Sequence, residues 1–196
     1  MENEKLLQPA ESLALIESMI NKAKNRFSEN GQLYLLWGWT VFFCSLFHFI
    51  GIKFSLLPHP EMVWMLTWAA VIYQIIFLSK QKKKEKMKTY TDEVEAYVWI
   101  AFSVVMMLTI FLMAKNNAFN TMYPMFLVLY GIPTFLSGIV LRFKPLKVGG
   151  IICWVLAVIA SFVWFEYQLL FLSLAVIAAW IVPGYLLRAK YKNENA

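Results

Sequence analysis

Charge is scarce in this sequence. Lys, Arg, Asp and Glu make up 15% of 196 residues, where a soluble globular domain carries about 25%. With 60% apolar residues beside it, that shortage excludes an ordinary soluble domain and points to a chain whose solvent is largely lipid. Cysteine is rarer still, with only Cys44 and Cys153. Both fall in apolar runs, at helical depths that differ by roughly 10 Å, so no disulfide is expected. Two thiols give no metal-ligand spacing either, and they read as small buried apolar residues. Also missing are a P-loop, a paired-Cys motif, HExxH, GxSxG and the glycine patterns of kinases and dinucleotide-binding proteins. No catalytic residue is assigned, and a non-enzymatic role is expected. Residues 1–30 are polar and charged, without the basic-then-apolar order of a cleavable signal peptide. The first apolar run is therefore expected to be an uncleaved anchor.

Six apolar segments are present, at 33–52, 62–79, 96–114, 121–141, 149–165 and 169–187. Each approaches the roughly 20 helical residues needed to cross hydrocarbon. They lack the period-2 alternation of a membrane barrel, so helices are expected. The predicted fold is an all-α integral membrane protein of six transmembrane helices, arranged as three antiparallel hairpins closed by the short connections after segments one, three and five. The implied domains are a cytoplasmic amphipathic helix and linker at 1–30, the bundle at 31–190 and a tail at 191–196. The 17% aromatic content, with 8 Trp, suits rings placed at both bilayer interfaces.

The few charges present are sorted. Basic residues number four before the first segment, six in 80–95, three in 142–148 and three after the last segment, against one each in 53–61 and 115–120. Cytoplasmic loops carry the Lys and Arg excess, so both termini are expected in the cytoplasm. This makes the run Lys80, Lys82, Lys83, Lys84, Lys86 and Lys88 a topology determinant resting against anionic lipid, at about 1 kcal/mol per basic residue near the surface. No folded module flanks it, so nucleic-acid binding is not expected. Ahead of segment one, Leu13, Ile16, Ile20, Ala23 and Phe27 recur at intervals of three and four. That pattern predicts an amphipathic helix lying on the membrane surface, or pairing with a protein partner or a second copy.

Within the segments, polar residues are mostly small and neutral, and no Asp, Glu, Lys or Arg stands at mid-membrane depth. Buried charge there costs about 2.5 to 3.5 kcal/mol and usually serves an ion path, a proton relay or catalysis. Its absence weighs against a pump or an intramembrane protease. Gly131, Thr134 and Gly138 share one face of segment four, a pattern that lets helix backbones approach closely. Pro133 and Pro183 are each expected to free a carbonyl and bend a helix. Paired breaks of this kind can mark a ligand site near the midplane. Its expected lining is Tyr130, Pro133, Thr134, Ser137, Trp180, Pro183 and Tyr185, as in a transporter of a small molecule or lipid.

"YGIPTFLSGIVLRFKPLKVGG", with "WIVPGYLLR" near the end and "GQLYLLWGWTVFF" near the start, resembles a group of six-span bacterial inner-membrane proteins. The resemblance spans nearly the whole chain. It implies bacterial origin and six-span topology, and it lends no activity.

The outer face carries His48, His59, Glu61 and Glu166, an adequate ligand set for Zn²⁺ or a similar divalent metal if the loops bring them together. No other cofactor is expected. The leading functional expectation is a non-catalytic scaffold or regulator binding through its cytoplasmic face. The alternatives are the transporter and the outer-face metal protein.

Overall fold

The computed structural model describes residues 31–56, 58–84 and 90–195, and among them every regular element is helical. The elements are α1 (Gln32–Lys53), a 3₁₀ segment (Pro60–Met65), α2 (Leu66–Lys84), α3 (Tyr90–Asn116), a 3₁₀ turn (Phe119–Thr121), α4 (Met122–Val140), α5 (Lys144–Ala160), α6 (Phe165–Val176), a π segment (Ile177–Ile181) and α7 (Val182–Asn195). Five stretches are long and apolar enough to cross a membrane: Gln32–Lys53, Pro60–Lys80, Glu93–Asn116, Phe119–Val140 and Phe165–Asn193. α5 is shorter, at 17 residues. The predicted amphipathic residues 13–27, with Lys86 and Lys88, lie outside the described residues.

Burial divides the bundle into a centre and a periphery. The apolar window of α4 is 61% buried, while those of α2 and α3 are 6% buried. α4 and α5 form the tightest pair, and α1 packs along α6 and the π segment. The strongest pairing therefore crosses the link between two of the predicted hairpins, where the chain turns through Leu141–Phe143 in three residues. Glycine makes this approach possible. A Cβ at Gly150 would stand 2.7 Å from Phe135 Cβ, and one at Gly138 would stand 2.6 Å from the Lys147 nitrogen. Gly131 meets the Gly150 carbonyl and the Trp154 indole.

The two predicted proline sites behave differently. Pro133 sits inside an uninterrupted α4. Ahead of Pro183 the helix widens, and the Val182 N–H donates five residues back to the Ile177 carbonyl. Proline has no N–H with which to carry that register on to Ala178. The widened turn is clasped from two sides. A Cβ at Gly38 of α1 would meet Ile181 Cγ1 at 2.7 Å, and one at Gly149 of α5 would meet Ala179 Cα at 2.7 Å and the Ala178 oxygen at 2.9 Å. At Gly149 the missing side chain lets the backbones of α5 and the π segment interlock, while at Gly38 the α1 backbone receives the Ile181 side chain.

Contacts also define the two ends. At one end Gly31 meets Gly184, Tyr34 bonds Glu95 and the Lys190 ammonium sits 5.9 Å from the centre of the Phe143 ring. At the other, Lys53 pairs with Glu166 at 3.3 Å and Gly51 packs on Pro60.

Candidate functional site

Several polar side chains inside the bundle pair between helices, with α1 as their hub, while Ser137 Oγ and Gln168 Oε1 are buried without a hydrogen-bond partner among the described residues. Trp37 Nε1 donates to Gln74 Oε1 of α2 at 2.7 Å. The Tyr34 hydroxyl donates to the buried Glu95 carboxylate of α3 at 2.8 Å. Ser45 and Ser173 share a hydrogen bond of 2.7 Å with α6. Each bond satisfies groups whose desolvation in an apolar core would otherwise cost free energy.

Towards the end where α1 finishes, two donors converge on one atom. Trp64 Nε1 donates to His48 Nδ1 at 3.0 Å, and the Tyr123 hydroxyl lies 3.0 Å from the same nitrogen. An indole N–H can only donate, so His48 Nδ1 is an unprotonated acceptor and the neutral ring carries its proton on Nε2. These three residues border an open pocket of about 400 Å³, lined also by Phe119, Phe165 and Glu61 among others.

The structure does not gather the four predicted metal ligands. His48 Nδ1 serves Trp64 and Tyr123, His59 Nδ1 lies 3.0 Å from Glu61 Oε1, and Glu166 is engaged by Lys53. Among the described residues no three His, Cys, Asp or Glu side chains stand close enough to share one ion. The reason is geometric: α1 brings Lys53 rather than an imidazole to Glu166.

The predicted ligand cavity is filled by its own lining. Thr134 is 0% exposed and Ser137 1%, so no water-sized space adjoins them, and Tyr130, Pro133, Trp180 and Pro183 are buried too. Trp180 Nε1 donates to Thr134 Oγ1 at 2.9 Å, and the Tyr130 and Trp180 rings lie 4.6 Å apart. Tyr185 instead points outward, half-exposed. Only Pro183 follows a widened turn, Pro133 lies within a continuous helix, and aromatic side chains pack between them. Of the lysine run, Lys80 is exposed at the end of α2's apolar stretch.

Three features escaped sequence reasoning. Glu95 lies just before the span drawn from residue 96, and its burial depends on Tyr34, 61 residues away. The His48 cluster needed α4 to deliver Tyr123. The third is a lateral groove of about 470 Å³ between α1, α2 and α7, bordered by Gln32, Trp39, Phe43, Tyr73, Tyr185 and Arg188 among others. The one available signal was the string of polar residues in apolar context, Tyr34, Gln74, Glu95 and Arg188, each of which needs a partner. Compared with protein-family models, with curated proteins and with solved structures, the chain matches none.

Proposed function

We propose that this chain is a non-catalytic multi-pass protein of a bacterial inner membrane. In this reading its six spans form three antiparallel hairpins with both termini in the cytoplasm. It acts as a scaffold or regulator that engages a protein partner, or a second copy, through its cytoplasmic end. The observation that carries this is the sorting of basic side chains on the bundle. Lys80, Arg142, Lys144, Lys147, Arg188, Lys190 and Lys192 belong to the end where α1 begins, whereas Lys53 and Lys115 belong to the other. A basic excess on one side is the mark of the cytoplasmic face, and it offers a broad surface to acidic partners. The pairing of interior polar groups across helices is what a structural bundle requires.

The test is site-specific photocrosslinking in cells from probes at Lys144 and Lys192. A discrete crosslinked species is expected, and it should disappear when residues 1–28 are deleted while the bundle still inserts. The same species at unchanged intensity after the deletion overturns the proposal.

A further inference from the structure

Among the described residues, the groove between α1, α2 and α7 gathers three donors at its polar end, Arg188, Tyr73 and Tyr185, beside the Gln32 amide. Arg188 is exposed and has no hydrogen-bond or ion-pair partner among the described residues. Tyr73 accepts from Gln32 Nε2 at 2.8 Å, which leaves the tyrosine's own O–H proton to give. Tyr185 accepts a long bond of 3.4 Å from Trp39 Nε1 and is left in the same position. Among the described residues no carboxylate borders the groove. A guanidinium and two phenol protons facing one space select an oxyanion, and the planar fork of arginine suits phosphate in particular.

Beyond that polar end the walls turn apolar, with Leu36, Trp39, Phe43 and Leu66, of which the last three are more than a third exposed. From Gln32 to Phe43 the groove follows about 16 Å of helix, close to half of a hydrocarbon core about 30 Å thick. An anionic head site joined to an apolar channel one leaflet long has the shape of a phospholipid. We propose that this groove binds one anionic phospholipid from the leaflet at the basic end. Arg188, Tyr73 and Tyr185 hold the phosphate, and an acyl chain lies along Leu36, Trp39 and Phe43. The inference rests on the membrane reading above, but not on which end faces the cytoplasm or on any protein partner.

The test uses the full chain in nanodiscs of mixed phosphatidylglycerol and phosphatidylcholine. Lipid retained through progressive delipidation is counted by native mass spectrometry. One phosphatidylglycerol should persist on the wild type, and Arg188→Gln should weaken its retention by about tenfold. Lys144→Gln, which removes an exposed charge at the same end but outside the groove, should leave retention unchanged. Thr40→Phe fills the groove without touching its charge and should also abolish retention. It carries the test alone should Arg188→Gln fail to give a folded, monodisperse protein. Equal losses for Arg188→Gln and Lys144→Gln would reduce the effect to general attraction and overturn the site. Equal retention of phosphatidylcholine would do the same. Retention that appears only after residues 1–30 are removed would make that segment the occupant, again overturning it. Failure of the membrane reading is distinguishable, because the protein would then be recovered in the soluble fraction.

Discussion

The indole N–H of Trp180 donates to Thr134 Oγ1 at 2.9 Å, while the same hydroxyl donates to the Tyr130 carbonyl at 2.7 Å. One threonine thus joins the π segment to α4 and returns its own proton to the preceding turn. Trp180 also packs edge-on to Trp99 of α3, with ring centres 6.2 Å apart. The bond therefore sits where three helices meet.

Thr134→Val keeps the shape of the side chain but leaves a buried indole N–H without its acceptor. The expected loss is about 1 to 3 kcal/mol, read as a lower thermal unfolding midpoint in detergent. Ser103→Ala removes an exposed hydroxyl that bonds only its own helix. It should shift stability by less than about 0.5 kcal/mol. Equal effects of the two substitutions would show that the Trp180 bond contributes nothing specific.

Gly149 reverses an ordinary rule. In a helix interior, Gly→Ala usually gains about 1 kcal/mol. Here the added Cβ would meet Ala179 Cα at 2.7 Å, so α5 must retreat from the π segment. Gly149→Ala should instead lose about 1 to 3 kcal/mol. A raised unfolding midpoint would show that the clasp is looser than described.

Trp64→Phe and Tyr123→Phe should be strongly non-additive. Each single change leaves the other donor on the one lone pair of His48 Nδ1, while the double change leaves that buried nitrogen with neither. The double variant should exceed the sum of the single ones by about 0.5 to 1 kcal/mol in a thermal-unfolding cycle. Simple additivity would mean that only one of the two bonds persists in solution.

Sidedness can be read by thiol labelling. Cys44 and Cys153 are both fully buried, so the native thiols should stay silent in folded protein. A cysteine replacing Asn117 should react with an impermeant maleimide in intact cells, and one replacing Lys192 should react only after lysis. The opposite pattern would invert the topology.

Much of the bundle was legible in the apolar runs. Segments 33–52 and 121–141 fall within a residue of α1 and α4 at each end, because there the apolar stretch and the helix coincide. Segment 149–165 is offset from Lys144–Ala160. Lys144, Pro145 and Lys147 interrupt the apolar count yet form a helical first turn, for which proline's fixed φ is suited. α3 begins at Tyr90 rather than 96 for a related reason: a helix can continue past the apolar stretch into polar residues.

The candidate sites were less legible. Tyr130, Thr134 and Trp180 were rightly grouped by position, but as mutual partners rather than as walls around a ligand. His48 was picked out for its chemistry, while its partners Trp64 and Tyr123 were not. The spacing 48, 64, 123 has no periodicity to reveal it.

Sequence alone determined that this chain is helical, with runs suited to a lipid solvent and basic charge heaped in alternate connections. Those are properties of stretches, set by transfer free energy and by backbone hydrogen bonding within a segment. Only the tertiary structure decided which helices are central, that Gly38 and Gly149 close on the π turn, and that Arg188 ends a groove bordered by Tyr73 and Tyr185. These depend on contacts between residues about 30 to 150 positions apart, where apolar faces are interchangeable in composition and only close packing selects one neighbour over another.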